Sequence, residues 1–161
     1  MTTSSGVVVG PGALRAYFRE ALGDALDRVA HRPDQATAAY LVDLLCEYAD
    51  DRGRRPPPAS PLGLVVARAM QDDPARSVPD LRRAGDHSLY VAGFQSELLR
   101  RSQIDTGYYV LVGGSAYRKL SRLLSLGRSE PSRFVVVFSE LGNQFSRFVA
   151  ALRLIKEGTA P

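Results

Sequence analysis

No apolar run in the sequence approaches the roughly 18 residues that a membrane-spanning helix needs, so no membrane partner is expected. The N-terminal stretch MTTSSGVVVGPG has neither the basic start nor the long apolar centre of a secretory signal. A cytoplasmic location is the corresponding expectation. Cysteine is nearly absent: Cys46 stands alone, which excludes an internal disulfide. Its neighbours Leu44, Leu45 and Tyr48 give no ligand or redox spacing and fit a buried thiol instead. With only His31 and His87, and no Glu-x-x-His or His-Glu-x-x-His spacing, a histidine-rich metal site is not expected. Dinucleotide and nucleophile-elbow patterns fail as well. The glycines at 6, 10 and 12 lack the surrounding strand and acidic residue, and Tyr117 stands where Gly113-Gly114-Ser115 would need a second glycine. The sequence therefore points to no catalytic residue, no metal and no cofactor.

What is present is an ordinary globular composition, 45% hydrophobic and 24% charged over 161 residues, which fits one domain with a real core. Arginine supplies nearly all the positive charge, Lys119 and Lys156 being the only lysines. Residues 1 to 75 hold 8 basic and 10 acidic side chains, and 76 to 161 hold 13 and 7, so the halves carry −2 and +6. Such asymmetry fits either an anionic partner or attraction between two halves of one bundle.

Apolar spacing predicts an all-α, single-domain bundle of about six helices over 13–157, after a flexible segment at 1–12. A helix starting near Gly10 and Pro11 places Leu14, Tyr17, Phe18, Ala21, Leu22, Ala25 and Val29 on one face. Asp34 is positioned to cap a second helix bearing Tyr40, Leu41, Leu44, Leu45 and Tyr48. Asp43, Glu47, Asp50 and Asp51 cluster on that helix as a solvated end or a partner surface. The tract DRGRRPPPASP at 51–61 reads as an exposed connection. Ser60-Pro61 starts a short third helix, and Ser77-Val-Pro-Asp80 has the form of a capping box for a fourth, residues 81–101. A fifth begins at Asp105 or Thr106, with Tyr109, Val112, Gly113, Ala116, Leu120, Leu123 and Leu124 as its stripe. The last, from about Pro131, aligns Phe134, Phe138, Leu141, Phe145, Phe148 and Leu152. Helix is preferred there over a strand at Val135–Val137, which would lack a pairing partner, and Gly142 is a candidate kink.

Projecting 81–101 at 100° per residue gathers Leu81, Ala84, Gly85, Ser88, Val91, Ala92, Gln95 and Leu99 on one face. The small residues in that row predict that the fourth and fifth helices form the tightest pair. Asp86 projects to the opposite, mostly polar face beside Arg82 and Arg83, and reads as their exposed ion-pair partner. His87 falls at the boundary, about 100° from Asp86, so the two do not form a catalytic dyad. Tyr90, Tyr108, Tyr109 and Tyr117 need hydrogen-bond partners if buried, and Ser88, Gln95 or His87 can supply them.

The segments LRRAGDHSLYVAGF, DTGYYVLVGGSAYRKL and FSELGNQFSRFV together resemble an all-helical family of uncharacterised bacterial proteins without an assigned activity. The resemblance spans about residues 13 to 155 and is carried by Gly85, Asp86, Gly93, Phe94, Tyr108, Tyr109, Gly113, Ala116 and Tyr117. It implies one helical domain and transfers no mechanism.

Three functions remain in competition. The first is a non-enzymatic regulatory or interaction protein binding another protein or itself, using its charged faces and the Pro-Arg connection. The second is a small-molecule binder or enzyme with a pocket between the fourth and fifth helices, lined by His87, Tyr109 and Tyr117 with Asp86 nearby. The third, less favoured, is nucleic-acid binding along Arg82, Arg83, Arg100, Arg101, Arg118 and Arg122, interrupted by Asp86, Glu97 and Asp105.

Overall fold

A computed structural model describes residues 10–51, 66–68, 71, 74–95, 99, 105–126 and 132–159. These form a single all-α domain without strands among the described residues. Six helices have defined bounds: α1 Pro11–Arg28, α2 Gln35–Asp51, α3 Pro74–Phe94, α4 Thr106–Ser125, α5 Arg133–Asn143 and α6 Phe145–Thr159. Of the short helix expected after Ser60, residues 66–68 are helical and Val66 is buried. Residues 52–61 of the Pro-Arg tract lie outside the described residues, as do residues 1–9 of the N-terminal segment.

Local signals set most helix starts. Pro11 occupies the first turn of α1 after the extended N-cap Gly10, so residues 11 and 12 belong to the helix. The Asp34 carboxylate accepts from the Ala36 amide at 2.8 Å, Asp105 from Gly107 at 3.0 Å, and Ser132 from Val135 at 3.4 Å. α1 ends in a Schellman turn, with the His31 amide bonded to the Leu26 carbonyl and the Ala30 amide to Asp27. Ala30 there adopts φ 53°, the left-handed conformation that glycine fits best.

Two boundaries differ from the sequence reading. Ser77 to Asp80 is not a cap: α3 begins at Pro74 and runs through Pro79, with Ser77 buried inside it. A proline at the first helical position explains the earlier start, since the missing amide has no partner to lose there. The long last helix is broken at Gln144, which closes α5 by donating to the Glu140 carbonyl and opens α6 by accepting from the Arg147 and Phe148 amides. Val135 to Val137 are helical within α5.

α3 lies at the centre. It makes the most extensive contact with α4 and a second large one with α6, which agrees with the tight pair read from its small-residue row. Ala84, Ser88 and Ala92 are fully buried. A Cβ on Gly85 would stand 2.5 Å from Cε1 of the Tyr117 ring, and one on Gly113 would stand 2.4 Å from Cζ of Phe145 and 2.7 Å from the Ser88 Cβ, so both glycines make room for side chains packed against the α3–α4 pair. The opposed pairs 85 with 117 and 88 with 113 make these helices antiparallel. Phe138, Leu141, Phe145, Phe148 and Leu152 fill the core as expected, each worth roughly 1.5 to 3 kcal/mol against exposure. Phe134 departs from that stripe and is 48% exposed.

Candidate functional site

The buried polar centre of the molecule is Asp86, which corrects its assignment to an exposed ion pair. Its side chain is buried and its Oδ1 accepts two hydrogen bonds, from the Tyr40 hydroxyl on α2 and the Tyr117 hydroxyl on α4, both 2.7 Å. Arg82, one turn earlier on α3, donates from Nε to the Tyr40 oxygen at 3.1 Å and lies 3.9 Å from Asp86 Oδ2. Its guanidinium also stands 5.4 Å from the centre of the Tyr40 ring. The expected Arg82–Asp86 pairing therefore exists, but as the outer end of a chain running inward through a phenol. Arg83 is exposed. Burial raises the Asp86 carboxyl from 3.8 to about 6, opposed by the two phenolic hydrogen bonds and by Arg82. Burial, reinforced by the Asp86 charge, pushes both phenols above their ordinary range and keeps them protonated.

The polar face of the helical projection is thus only partly a solvent face. Tyr90 stacks on Tyr48 of α2 at 4.4 Å and on Phe94 at 5.2 Å, and a Cβ on Gly93 would meet the Leu152 Cβ of α6 at 2.5 Å. A one-sided amphipathic reading fails for a helix packed on several sides.

Tyr117 is fully buried, stacked on Phe138 at 5.6 Å, with its hydroxyl committed to Asp86. Its ring has no exposed surface toward His87 or Tyr109. His87 is half-buried at the boundary, as read from the sequence, and burial with Arg83 nearby lowers its pKa. Tyr109 is partly buried and meets Tyr108 edge-on at 5.6 Å. Ser88, a proposed phenol partner, has a buried Oγ without a hydrogen-bond partner among the described residues.

A partly open cleft beside Asp86 lies instead between α1, α2, α3 and α5. This cleft of about 410 Å³ is lined by Arg15, Tyr40, Asp43, Glu47, Arg82, Asp86, Arg133 and Phe134, with Ala36, Leu44, Cys46 and Val137 completing its walls. Arg15 is ion-paired with Asp43 across the α1–α2 hairpin. Cys46 is half-buried on the cleft wall rather than within the core. Tyr40 was the legible clue to this site, since a phenol set in the apolar stripe of α2 must find a polar partner inside. Arg15 and Arg133 carried no comparable signal.

The arginines considered for nucleic acid are divided. Arg82 lines this cleft, while Arg118 lines a second groove of about 440 Å³ at the α5–α6 break and donates to the Gly142 carbonyl at 3.0 Å. Arg122 is exposed on α4, and Arg100 and Arg101 lie outside the described residues. Among the described residues no His, Cys, Asp and Glu cluster could hold a metal ion, and no helix is long and apolar enough to cross a membrane.

Comparison with known proteins found no matching family model, no matching curated protein and no matching solved structure. The resemblance to bacterial helical proteins therefore rests on its three sequence segments alone.

Proposed function

We propose that the protein is a non-catalytic binding protein whose recognition site is the polar cleft between α1, α2, α3 and α5. The observation that carries this reading is the cleft itself: about 410 Å³ of space with a hydrogen-bonded Asp86–Tyr40 floor and charged walls from four helices. That volume is in the range of small-molecule sites, and its largely polar and charged lining suits a polar or charged occupant. Binding is favoured over catalysis because the floor groups hold each other. Tyr40 stays protonated and donates to Asp86, so neither is poised as a nucleophile. The small-molecule alternative is thereby moved from the α3–α4 interface to the other side of Asp86.

Native mass spectrometry of protein purified from its own cells tests the reading, with Ala36→Trp as the variant that fills the cleft. A co-purified small molecule present in the wild type and lost from a folded Ala36→Trp variant is the expected result. Wild type without a bound molecule, or equal retention by the variant, overturns it.

A second reading, recognition of another protein, draws on the groove at the α5–α6 break. Leu111, 66% exposed, and Val110 line it together with Arg118 and Arg147. Their guanidinium groups donate to the carbonyls of Gly142 and Ala30 rather than to carboxylates. Such a groove suits an acidic segment with apolar side chains. Binding of a Glu- and Leu-rich helical peptide that Arg147→Glu weakens supports this reading, and equal binding by that variant removes it.

A further inference from the structure

We propose that the cleft takes a small monoanion with a planar apolar body, of the class of aromatic carboxylates, held by Arg133 and Phe134. The inference rests on the reading of the cleft as a binding site and names its ligand chemistry. Six charged side chains line the space, three arginines and three carboxylates. Arg15 and Asp43 neutralise each other as an ion pair. Arg82 serves Tyr40 and Asp86, and the Glu47 charge acts on both Arg82 and Asp86. That leaves Arg133, at the first turn of α5, as the lining cation whose guanidinium makes no ion pair or hydrogen bond among the described residues.

The lining is balanced in formal charge, and a carboxylate on the occupant would give the Arg133 guanidinium the partner it lacks. An ammonium group would instead meet carboxylates that already have cationic or phenolic partners.

Phe134 supplies the second half of the argument. It follows Arg133 on α5, lines the same space and leaves 48% of its surface exposed. Its ring is stacked on Phe138 at 6.2 Å and 19°, and Phe138 meets Tyr40 edge-on at 5.3 Å. The row backs Phe134 on one side, and its exposed ring and the Arg133 guanidinium line the same cleft. Offset stacking of a planar ligand on that ring buries apolar area on both partners. The ligand carboxylate then reaches the guanidinium in a charge-assisted, two-pronged contact.

Titration of the full chain with benzoate, inorganic phosphate and benzylamine, followed by two-dimensional NMR, tests the proposal. The wild type, Arg133→Gln, Phe134→Ala and the exposed control Arg122→Gln are compared, each checked for helicity by circular dichroism. Benzoate is expected to shift resonances of Ala36, Tyr40 and Val137, with affinity at least tenfold lower in Arg133→Gln and unchanged in Arg122→Gln. Phe134→Ala is expected to weaken benzoate but not phosphate. Benzylamine binding as tightly as benzoate overturns the anion preference while leaving the cleft a binding site. Phosphate matching benzoate in both the wild type and Phe134→Ala overturns the aromatic element. No cleft shift with any probe overturns the ligand class, whereas the binding reading itself stands or falls with the co-purified molecule and Ala36→Trp.

Discussion

Tyr117 donates its hydroxyl to Asp86 at 2.7 Å from a position that is itself fully buried. Because Tyr40 donates to the same carboxylate oxygen, residues of α2, α3 and α4 meet at one atom. Oδ2 remains on the side of Arg82.

The pH dependence of this centre has a defined sign. The folded-state value of Asp86, about 6, lies above its ordinary 3.8, so the folded chain holds a proton that the unfolded chain releases first. The contribution to stability is complete below about pH 4 and is lost as pH rises through 6. At about 1.4 kcal/mol per pH unit it amounts to roughly 3 kcal/mol. Asp86→Asn retains an acceptor for both phenols and cannot ionise. Its stability relative to wild type should therefore rise between pH 4 and 7 by that order, as read by urea unfolding at each pH. Asp86→Ala leaves two buried hydroxyls without an acceptor and should cost about 2 to 5 kcal/mol. A wild-type minus Asn difference that is flat across this range contradicts the assignment.

Gly85→Ala tests the close approach of α3 and α4. The added methyl would stand 2.5 Å from the Tyr117 ring, and that ring is pinned by its bond to Asp86 and its stack on Phe138. A loss of about 1 to 3 kcal/mol is expected, visible in a thermal melt. An unchanged midpoint would mean that the ring yields freely.

Ser88→Ala should act in the opposite direction. The Ser88 hydroxyl is buried without a partner while its Cβ fills the space against Gly113. Alanine keeps the methylene contact and removes an unsatisfied polar group, for an expected gain of about 1 kcal/mol in denaturant unfolding. A destabilised variant would show that the hydroxyl has an ordered partner, such as a water.

Ala30→Gly addresses the Schellman turn. With φ at 53°, alanine occupies a left-handed position that glycine adopts without strain, and the change should stabilise the chain by up to about 1 kcal/mol. Glycine also increases the freedom of the unfolded chain, which limits the gain. A loss above 1 kcal/mol would indicate that the Ala30 methyl makes contacts of its own.

The helical class and most helix starts were legible because their causes are local. Asp34, Asp105 and the Gly10–Pro11 step act on amides within a turn. The close pairing of α3 and α4 was legible from the four-residue spacing of Ala84, Ser88 and Ala92. The site was less so. Asp86 was misplaced because a projection treats a helix as having one wet side, whereas α3 meets α2 through Tyr90 and α6 through Gly93. The cleft depends on Arg15, Tyr40 and Arg133 converging from three helices, and nothing in their own neighbourhoods encodes that meeting. The kink read at Gly142 falls two residues short of the break at Gln144 for a related reason, since the apolar spacing from Phe134 to Leu152 continues across it.

The turn between α1 and α2 has a further consequence for how the chain assembles. The Asp34 amide donates to Glu140 on α5 and Arg147 on α6 donates to the Ala30 carbonyl, contacts 106 and 117 residues apart in sequence. Both halves of the broken C-terminal helix therefore grip one N-terminal loop. Closing loops of that length has an entropic cost before the contacts return anything. The α1–α2 hairpin rests on local signals, but its grip on the rest of the fold is completed only by contacts from the last two helices. Loss of either contact should therefore loosen the first loop without unfolding the hairpin's own helices.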